Sequence, residues 1–97
     1  MNKRLMTDLE EEVLFQLSRQ ERELSVIALA ERLSLGMKSL ILLATLYQTL
    51  FQLEERALIG VSYVHAKKRY RITNQGVAAW QRDWKFYREH VNEYARG

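Results

Sequence analysis

Basic residues cluster around one tyrosine in the segment HAKKRYRIT. The four cations are Lys67, Lys68, Arg69 and Arg71. The nearest acidic residues along the chain are Glu55 and Asp83, so no carboxylate close in sequence neutralises the cluster. Ammonium and guanidinium groups neutralise phosphates, which makes such a cluster typical of a surface that binds nucleic acid. A solvated hairpin tip, whose lysines protect the edge of a sheet, is the alternative interpretation.

The positive charge of the chain is local. The 97 residues carry a formal net charge of +3, and the basic cluster accounts for it because the rest of the chain is almost balanced. Local basicity indicates a docking surface for phosphate or for an acidic protein, whereas uniform basicity would indicate only solubility. Because a chain of this length has a small core, a partner subunit would add stability.

Other kinds of chemistry have little support in the sequence. There is no cysteine, which excludes disulfides and thiolate metal sites and fits a reducing compartment such as the cytoplasm. The two histidines, His65 and His90, fall in different predicted elements, and we find neither a glycine-rich phosphate loop nor a pair of carboxylates suited to acid–base catalysis. The most apolar stretch, SLILLATLYQTLF, is shorter than the roughly 20 residues that span a bilayer. We therefore expect no metal, no cofactor, no membrane span and no enzymatic activity.

Three helices are predicted in the first part of the chain. The first begins at Thr7, which stands three residues before Glu10 in the spacing of a capping box. The second follows Ser25 as its cap and stops at Gly36, and the third runs without a breaker from Lys38 to about Ala57. Apolar residues at helical spacing give each helix a face to bury. They are Leu9, Val13 and Leu17 in the first helix, Ile27, Leu29, Ala30 and Leu33 in the second, and Leu43, Leu46, Leu50, Leu53 and Ala57 in the third.

The apolar pattern then changes to alternation, which predicts two strands joined through residues 65–68. The alternating residues are Ile59, Val61 and Tyr63 in the first strand, and Tyr70 and Ile72 in the second. Thr73 is the predicted N-cap of a long last helix. Three helices, a hairpin and a helix are the order of a winged helix-turn-helix, a mainly α fold in which the third helix enters the major groove and the hairpin is the wing. In this single domain, residues 7–73 would form the DNA-binding core and wing, and residues 74–96 the C-terminal helix.

The third helix has a mostly uncharged polar face opposite Leu46 and Leu50. Glutamine and threonine can hydrogen-bond base edges or phosphates, and glutamine pairs well with adenine. We predict that this face and the start of the helix contact DNA together with the basic wing. The residues concerned are Lys38, Ser39, Thr45, Tyr47, Gln48, Thr49 and Gln52, and both Thr49 and Arg56 lie at the edge of the face. Packing is the first expectation for Tyr47 and Phe51, on a flank of the helix, although the Tyr47 hydroxyl could reach a phosphate.

The segments TLYQTLFQLEERALI and KRYRITNQGVAAWQ resemble the PadR family of transcriptional regulators. The matching positions are Thr45, Leu46, Tyr47, Leu50, Leu53, Glu54, Glu55, Leu58, Ile59, Tyr70, Arg71, Thr73 and Gly76. The resemblance implies that Thr45, Tyr47 and the wing approach DNA, that terminal helices form a dimer, and that the protein is a repressor. Two positions depart from the family: LILLA replaces the usual glycine or proline near the start of the third helix, so we expect an earlier start, and Ala57 stands where many members have glycine.

The last helix carries a continuous apolar seam with an average repeat of 3.5 residues, which is typical of a surface that packs on a partner helix. The seam residues are Val77, Trp80, Trp84, Tyr87, Val91 and Tyr94. We predict that they form a homodimer interface, with packing on their own domain as the alternative. The resemblance also implies a possible flat aromatic effector near Trp80 or Trp84, although core packing is the simpler role for both.

These patterns together predict a homodimeric, cytoplasmic, DNA-binding transcription regulator that recognises a palindromic operator. The alternative is a winged-helix module that uses its third helix and wing to dock another protein.

Replacing Trp84 with glutamate tests the seam. If Trp84 lies at a two-fold interface, each subunit would place an unpaired charge in a buried zone, at a cost of several kcal/mol. We expect Trp84→Glu to be a monomer by sedimentation and to lose tight binding to a palindrome, while keeping weak, salt-sensitive binding to a single half-site. A variant that stays dimeric would return the seam to an intramolecular core.

Overall fold

The computed structural model describes residues 6–20 and 22–83. The elements are α1 (Asp8–Ser18), α2 (Val26–Met37), α3 (Leu43–Glu55), β1 (Ile59–Val64) and β2 (Lys67–Ile72), followed by a fourth helix, α4, described from residue 74 to residue 83. This order confirms the predicted succession of three helices, a two-stranded hairpin and a helix. The part of the predicted C-terminal helix from residue 84 to residue 96 lies outside the described residues.

The first two helices begin where the sequence predicts. The Thr7 N–H donates to Glu10 Oε1 at 2.9 Å, and the Glu10 N–H donates to Thr7 Oγ1 at 3.1 Å, which is a complete capping box. At α2 the Ala28 N–H donates to Ser25 Oγ at 3.2 Å. Both bonds satisfy backbone donors that have no partner inside the helix.

The boundaries of the turn between α2 and α3 differ from the prediction. Helix α2 continues through Gly36 to Met37, and Lys38 ends it in a left-handed conformation with φ of 53°. Because this residue turns the chain, residues 39–42 are not helical and α3 begins at Leu43. The prediction that the third helix starts at Lys38 is therefore wrong, and so is the expected early start.

One buried stripe of α3 matches the prediction, and its ends do not. Leu46, Leu50 and Leu53 are at most 1% exposed. Leu43 is 43% exposed, and Ala57 lies beyond the end of the helix with φ of 58°. In α2, Ile27 was predicted to be buried but is 54% exposed. The buried stripe of α3 packs with leucines and a valine of the other helices, each worth about 1.5–3 kcal/mol when fully buried. These partners are Val13, Leu14, Leu17, Leu29 and Leu33.

The hairpin is attached to the helices through Tyr70. Strands β1 and β2 pair antiparallel, with Ile59 opposite Ile72 and Val64 opposite Lys67. On its other edge, β2 pairs with the segment before α2: the Leu24 N–H donates to the Tyr70 carbonyl at 2.9 Å, and the Tyr70 N–H donates to the Leu24 carbonyl at 2.8 Å. Since Tyr70 is only 2% exposed, both its backbone and its ring hold the wing against the helical body.

An ion pair links the start of α1 to the end of α3. Glu10, only 6% exposed, uses Oε1 for the capping box, and its Oε2 accepts a hydrogen bond from Arg56 Nη2. The pair holds the guanidinium of Arg56 against the helical body.

The junction between α3, β1 and α4 depends on Thr73 and Gly76. Thr73 Oγ1 donates to the Ala57 carbonyl at 2.7 Å and accepts from the Gly76 N–H at 3.0 Å. The second bond is an N-cap, which confirms the role predicted for Thr73. A β-carbon added at Gly76 would lie 2.0 Å from the Leu58 carbonyl oxygen, which is too close for any side chain. Glycine at this position therefore allows α4 to approach the turn after α3.

Gly76→Ala should lower the free energy of unfolding by about 1–3 kcal/mol or more, because the methyl group displaces backbone rather than a flexible side chain. Chemical denaturation followed by circular dichroism measures the loss. The matched control is Gly36→Ala, where the added carbon meets only the side-chain ends of Glu12 and Gln16, so we expect little loss or a small gain. Equal stability of the wild type and the Gly76 variant would contradict the close approach.

Candidate nucleic-acid interface

The exposed face of α3 carries the polar residues that the sequence assigned to it. Thr45, Gln48 and Gln52 are exposed and point away from the leucine stripe. Thr49 does not join them: it is 7% exposed, and its hydroxyl donates to the Thr45 carbonyl at 2.9 Å. The prediction that Thr49 faces DNA is wrong, because its side chain lies on the core side of the helix.

An apolar stripe runs beside the glutamines. Leu43, Tyr47 and Phe51 follow each other at intervals of four residues and are 43%, 51% and 61% exposed. The expectation that Tyr47 and Phe51 pack in the domain is thus wrong for the part of the chain that the structure describes. The prediction placed Leu43 in the buried stripe instead, and the four-residue spacing that joins it to the two aromatic residues was the signal that could have corrected this.

The exposed face of α3 has no positive charge of its own. The helix, with the sequence LATLYQTLFQLEE, contains neither lysine nor arginine. Arg56 follows directly after it, but its guanidinium is engaged by the buried carboxylate of Glu10. Its side chain is nevertheless 43% exposed, so the position of Arg56 at the edge of the DNA-facing side stays a prediction.

The strand alternation divides the cations of the wing between two faces. Lys68 lies on the face that β2 turns toward the core, opposite Tyr63 and beside Tyr70. Its Nζ is 5.4 Å from the centroid of the Tyr70 ring and 3.9 Å from Glu54 Oε2, so it reaches toward the end of α3. Burial acts to lower the pKa of the Lys68 ammonium, but Tyr70 and Glu54 outweigh it and raise the pKa above its usual value. Lys68 is therefore a cation at neutral pH.

The other three cations share the outer face of the hairpin. They are Lys67, Arg69 and Arg71. The guanidinium of Arg71 lies across Gly60, where an added β-carbon would be 2.7 Å from Arg71 Cζ. Arg69 is partly buried in a cleft with Arg22, Glu23 and Val64, and its Nε has no acceptor among the described residues. The Glu23 carboxylate accepts a hydrogen bond from Ser62 on this face. The basic cluster thus forms two surfaces and not one.

Lys38 and Ser39 are exposed, as a DNA contact requires, but they lie in the turn between α2 and α3 and not in the third helix. The Ser39 N–H donates to the Ser34 carbonyl at 3.1 Å, which holds this turn against the end of α2.

The predicted dimer seam is described only at its first residues. Val77 and Trp80 are partly buried. The Trp80 ring stacks on Phe15 of α1, with ring centroids 5.8 Å apart and an angle of 25° between the planes. One face of the Trp80 ring therefore packs within its own domain, which was the alternative interpretation of the seam. Trp84, Tyr87, Val91 and Tyr94 lie outside the described residues, as does His90.

Within residues 6–20 and 22–83, no three acidic residues or histidines form a group that could hold a metal ion. No helix in these ranges is both long and apolar enough to cross a membrane.

The comparisons with known proteins concern the fold. No protein-family model and no curated protein matches the chain, so the resemblance to the PadR family stays a prediction. Among solved structures, the chain is similar to RosR of H. salinarum, with 21% identity, a TM-score of 0.75, and coverage of 98% of this chain and 94% of that one. It is also similar to MepR, described as a transcription regulator of a Staphylococcus aureus multidrug efflux pump, with 18% identity, a TM-score of 0.76, and coverage of 95% and 65%.

A third similar structure is BpsR of Bordetella bronchiseptica, whose DNA binding is described as regulated by 6-hydroxynicotinic acid. The identity is 22% and the TM-score 0.73, with 91% of this chain and 60% of that one covered. At these identities the likeness concerns the fold alone. Together with the order of three helices, a two-stranded hairpin and a helix, it shows that this chain has a winged-helix fold.

The turn at the tip of the wing has a left-handed backbone conformation, which histidine and alanine do not favour. His65 and Ala66 have φ of 51° and 64°, the left-handed pair of a two-residue hairpin turn that usually contains Asn-Gly.

Ala66→Gly should raise the free energy of unfolding by roughly 0.5–1 kcal/mol, because the steric strain of a left-handed alanine is larger than the entropy cost of glycine. Ala78→Gly, at an exposed helical position, should lower it by a similar amount. Destabilisation by both variants in thermal unfolding would contradict the turn geometry.

Proposed function

We propose that this protein is a DNA-binding transcription regulator that places α3 in the major groove and its wing on the phosphate backbone. The observation that carries the proposal is the exposed face of α3, where Thr45, Gln48 and Gln52 present hydrogen-bonding groups while Lys68 reaches from the wing toward the same helix. The polar groups suit base edges, and the ammonium suits a phosphate. MepR, described as a transcription regulator, and BpsR, described by the regulation of its DNA binding, support this use of the fold.

The proposed active form is a homodimer that binds a palindrome. Two copies related by a two-fold axis would present their α3 helices about 34 Å apart, matching half-sites one turn of DNA apart. The apolar seam that begins at Val77 and Trp80 supports this arrangement, with Phe15 covering part of Trp80. By the PadR resemblance the regulator is a repressor, and its DNA targets imply a cytoplasmic location.

A flat aromatic effector near Trp80 or Trp84 belongs to the same proposal. The description of BpsR, whose DNA binding responds to an aromatic acid, supports it.

A second function is favoured by the exposed apolar residues of α3 and of the turn before it. Tyr47 and Phe51 are more than half exposed, and Leu40 and Leu42 in the preceding turn are 85% and 66% exposed. Apolar residues gathered on one side often mark a protein interface. On this alternative, α3 docks a protein partner and the domain does not bind DNA.

Titration of a long mixed-sequence duplex at several salt concentrations separates the two functions. Lys67→Ala, Lys68→Ala and Arg69→Ala should each weaken binding and lower the salt slope by about one for each lost phosphate contact. Glu54→Gln should strengthen binding, because it removes a negative charge that the end of α3 places beside Lys68.

The control for these titrations is Arg82→Ala, which removes an exposed charge from α4 and should leave the slope unchanged. Absence of duplex binding by the wild type at low salt would reject the DNA-binding function and favour the protein-docking module. Unchanged affinity and slope for all three wing variants would remove the wing from the interface.

A further inference from the structure

The base-reading chemistry of α3 is restricted by its composition. This inference rests on the proposed function, because it concerns which base pairs α3 would contact. The helix LATLYQTLFQLEE has no lysine, arginine, asparagine, aspartate or histidine. Apart from its two terminal glutamates, its exposed polar groups are the hydroxyls of Thr45 and Tyr47 and the amides of Gln48 and Gln52.

Each base presents a different pattern in the major groove. Guanine is read mainly by arginine or lysine, which donate two hydrogen bonds to O6 and N7. Adenine is read by a glutamine or asparagine amide, which pairs with N6 and N7, and the methyl group of thymine makes apolar contacts. The exposed face of α3 therefore has readers for adenine in Gln48 and Gln52 and apolar contacts for thymine in Ala44, Tyr47 and Phe51.

The charged residues near α3 are poorly placed to read guanine or cytosine. Arg56 donates to the buried carboxylate of Glu10, and Lys68 faces Glu54. Glutamate can accept from the cytosine amino group, but Glu54 and Glu55 are the last two residues of α3, and the Glu54 carboxylate faces the ammonium of Lys68. Lys38 lies in the turn before α3, five residues from its start.

The spacing of Gln48 and Gln52 fits two base pairs that lie two steps apart. Gln48 and Gln52 lie one above the other on the helix, about 6 Å apart along its axis at 1.5 Å per residue. This distance is close to two base-pair steps of about 3.4 Å. Tyr47 and Phe51 form the adjacent row at the same spacing, so each amide has an aromatic ring beside it. A row of amides next to a row of rings matches adenines on one side of the groove and thymine methyls on the other.

We propose that the segment of each half-site read by α3 consists of A·T base pairs, with Gln48 and Gln52 pairing with adenine and Phe51 packing on a thymine methyl group. The cations of the wing supply the sequence-independent attraction that the neutral helix lacks.

Selection of bound sites from a library of random duplexes by the full chain tests the preference. The expected result is a recovered half-site whose central positions are A·T pairs. Recovery of a half-site with G·C pairs at the positions protected by α3 would overturn this inference and leave DNA binding intact. Failure to retain any duplex would overturn the proposed function together with it.

Base analogues in the recovered site then identify the contacts. Uracil in place of thymine, which removes one methyl group, should weaken binding about fourfold at the position that Phe51 contacts, and Phe51→Ala should abolish this difference. At the adenine read by Gln48, 7-deazaadenine should weaken binding, and Gln48→Ala should lose roughly 5- to 150-fold on the selected site and much less on a random duplex.

The matched control is Leu40→Ala, a loss of exposed apolar surface outside α3, which should leave the uracil difference unchanged. All three side chains are exposed, so circular dichroism should show that the variants fold as the wild type does. A uracil effect that persists in Phe51→Ala, or equal losses for Gln48→Ala on the selected and random duplexes, would overturn the assignment of these readers.

Discussion

The orientation of the wing depends on Tyr70. Its backbone exchanges two hydrogen bonds with Leu24, and its strand neighbour across the hairpin is Val61, so β2 is held on both edges at this point. The buried ring adds apolar contact with the body. Because residues alternate between the two faces of a strand, fixing Tyr70 toward the core also turns Lys68 toward α3 and sends Lys67, Arg69 and Arg71 to the other face. A single buried residue thus determines which cations accompany the helix.

Charge and hydrogen-bonding capacity are separated in this domain. The wing carries the cations, while α3 presents amides, hydroxyls and apolar groups without a lysine or arginine. The ion pair of Arg56 with Glu10 contributes to the separation, since it ties the guanidinium that follows α3 to the start of α1. The cations of the hairpin would attract a docked duplex over a long range, while the helix would select its sequence through short-range hydrogen bonds and apolar contacts. Because salt screens the attraction between charges, these two contributions to binding respond differently to salt.

Local signals predicted the elements well, and long-range packing explains the misses. The caps Thr7, Ser25 and Thr73 were predictable because their hydrogen bonds span three residues. The start of α3 was not, because Lys38 adopts a left-handed conformation that propensity assigns to glycine or asparagine.

Within the candidate site, the exposure of the glutamines could be predicted because they lie opposite the leucine stripe of α3. The face of the hairpin on which each cation lies could not be predicted from the sequence alone, because it depends on the register that places Lys68 opposite Tyr63. The contact of Trp80 with Phe15 joins helices far apart in the chain, which a repeat within one helix cannot reveal.

The contact between Tyr70 and Leu24 joins residues that are far apart in the chain, which affects the order of folding. The pairing of Tyr70 with Leu24 closes a loop of the same length as the Glu10–Arg56 ion pair, whose residues are 46 positions apart. The hairpin itself closes through a two-residue turn and can form within microseconds, whereas contacts between distant residues form more slowly. During synthesis, α1, α2 and α3 are all made before β2, so the leucine stripe of α3 can pack on the first two helices before the strand that completes the core exists. We therefore expect the docking of the wing onto the segment before α2 to be a late step, after which Lys68 lies beside the end of α3.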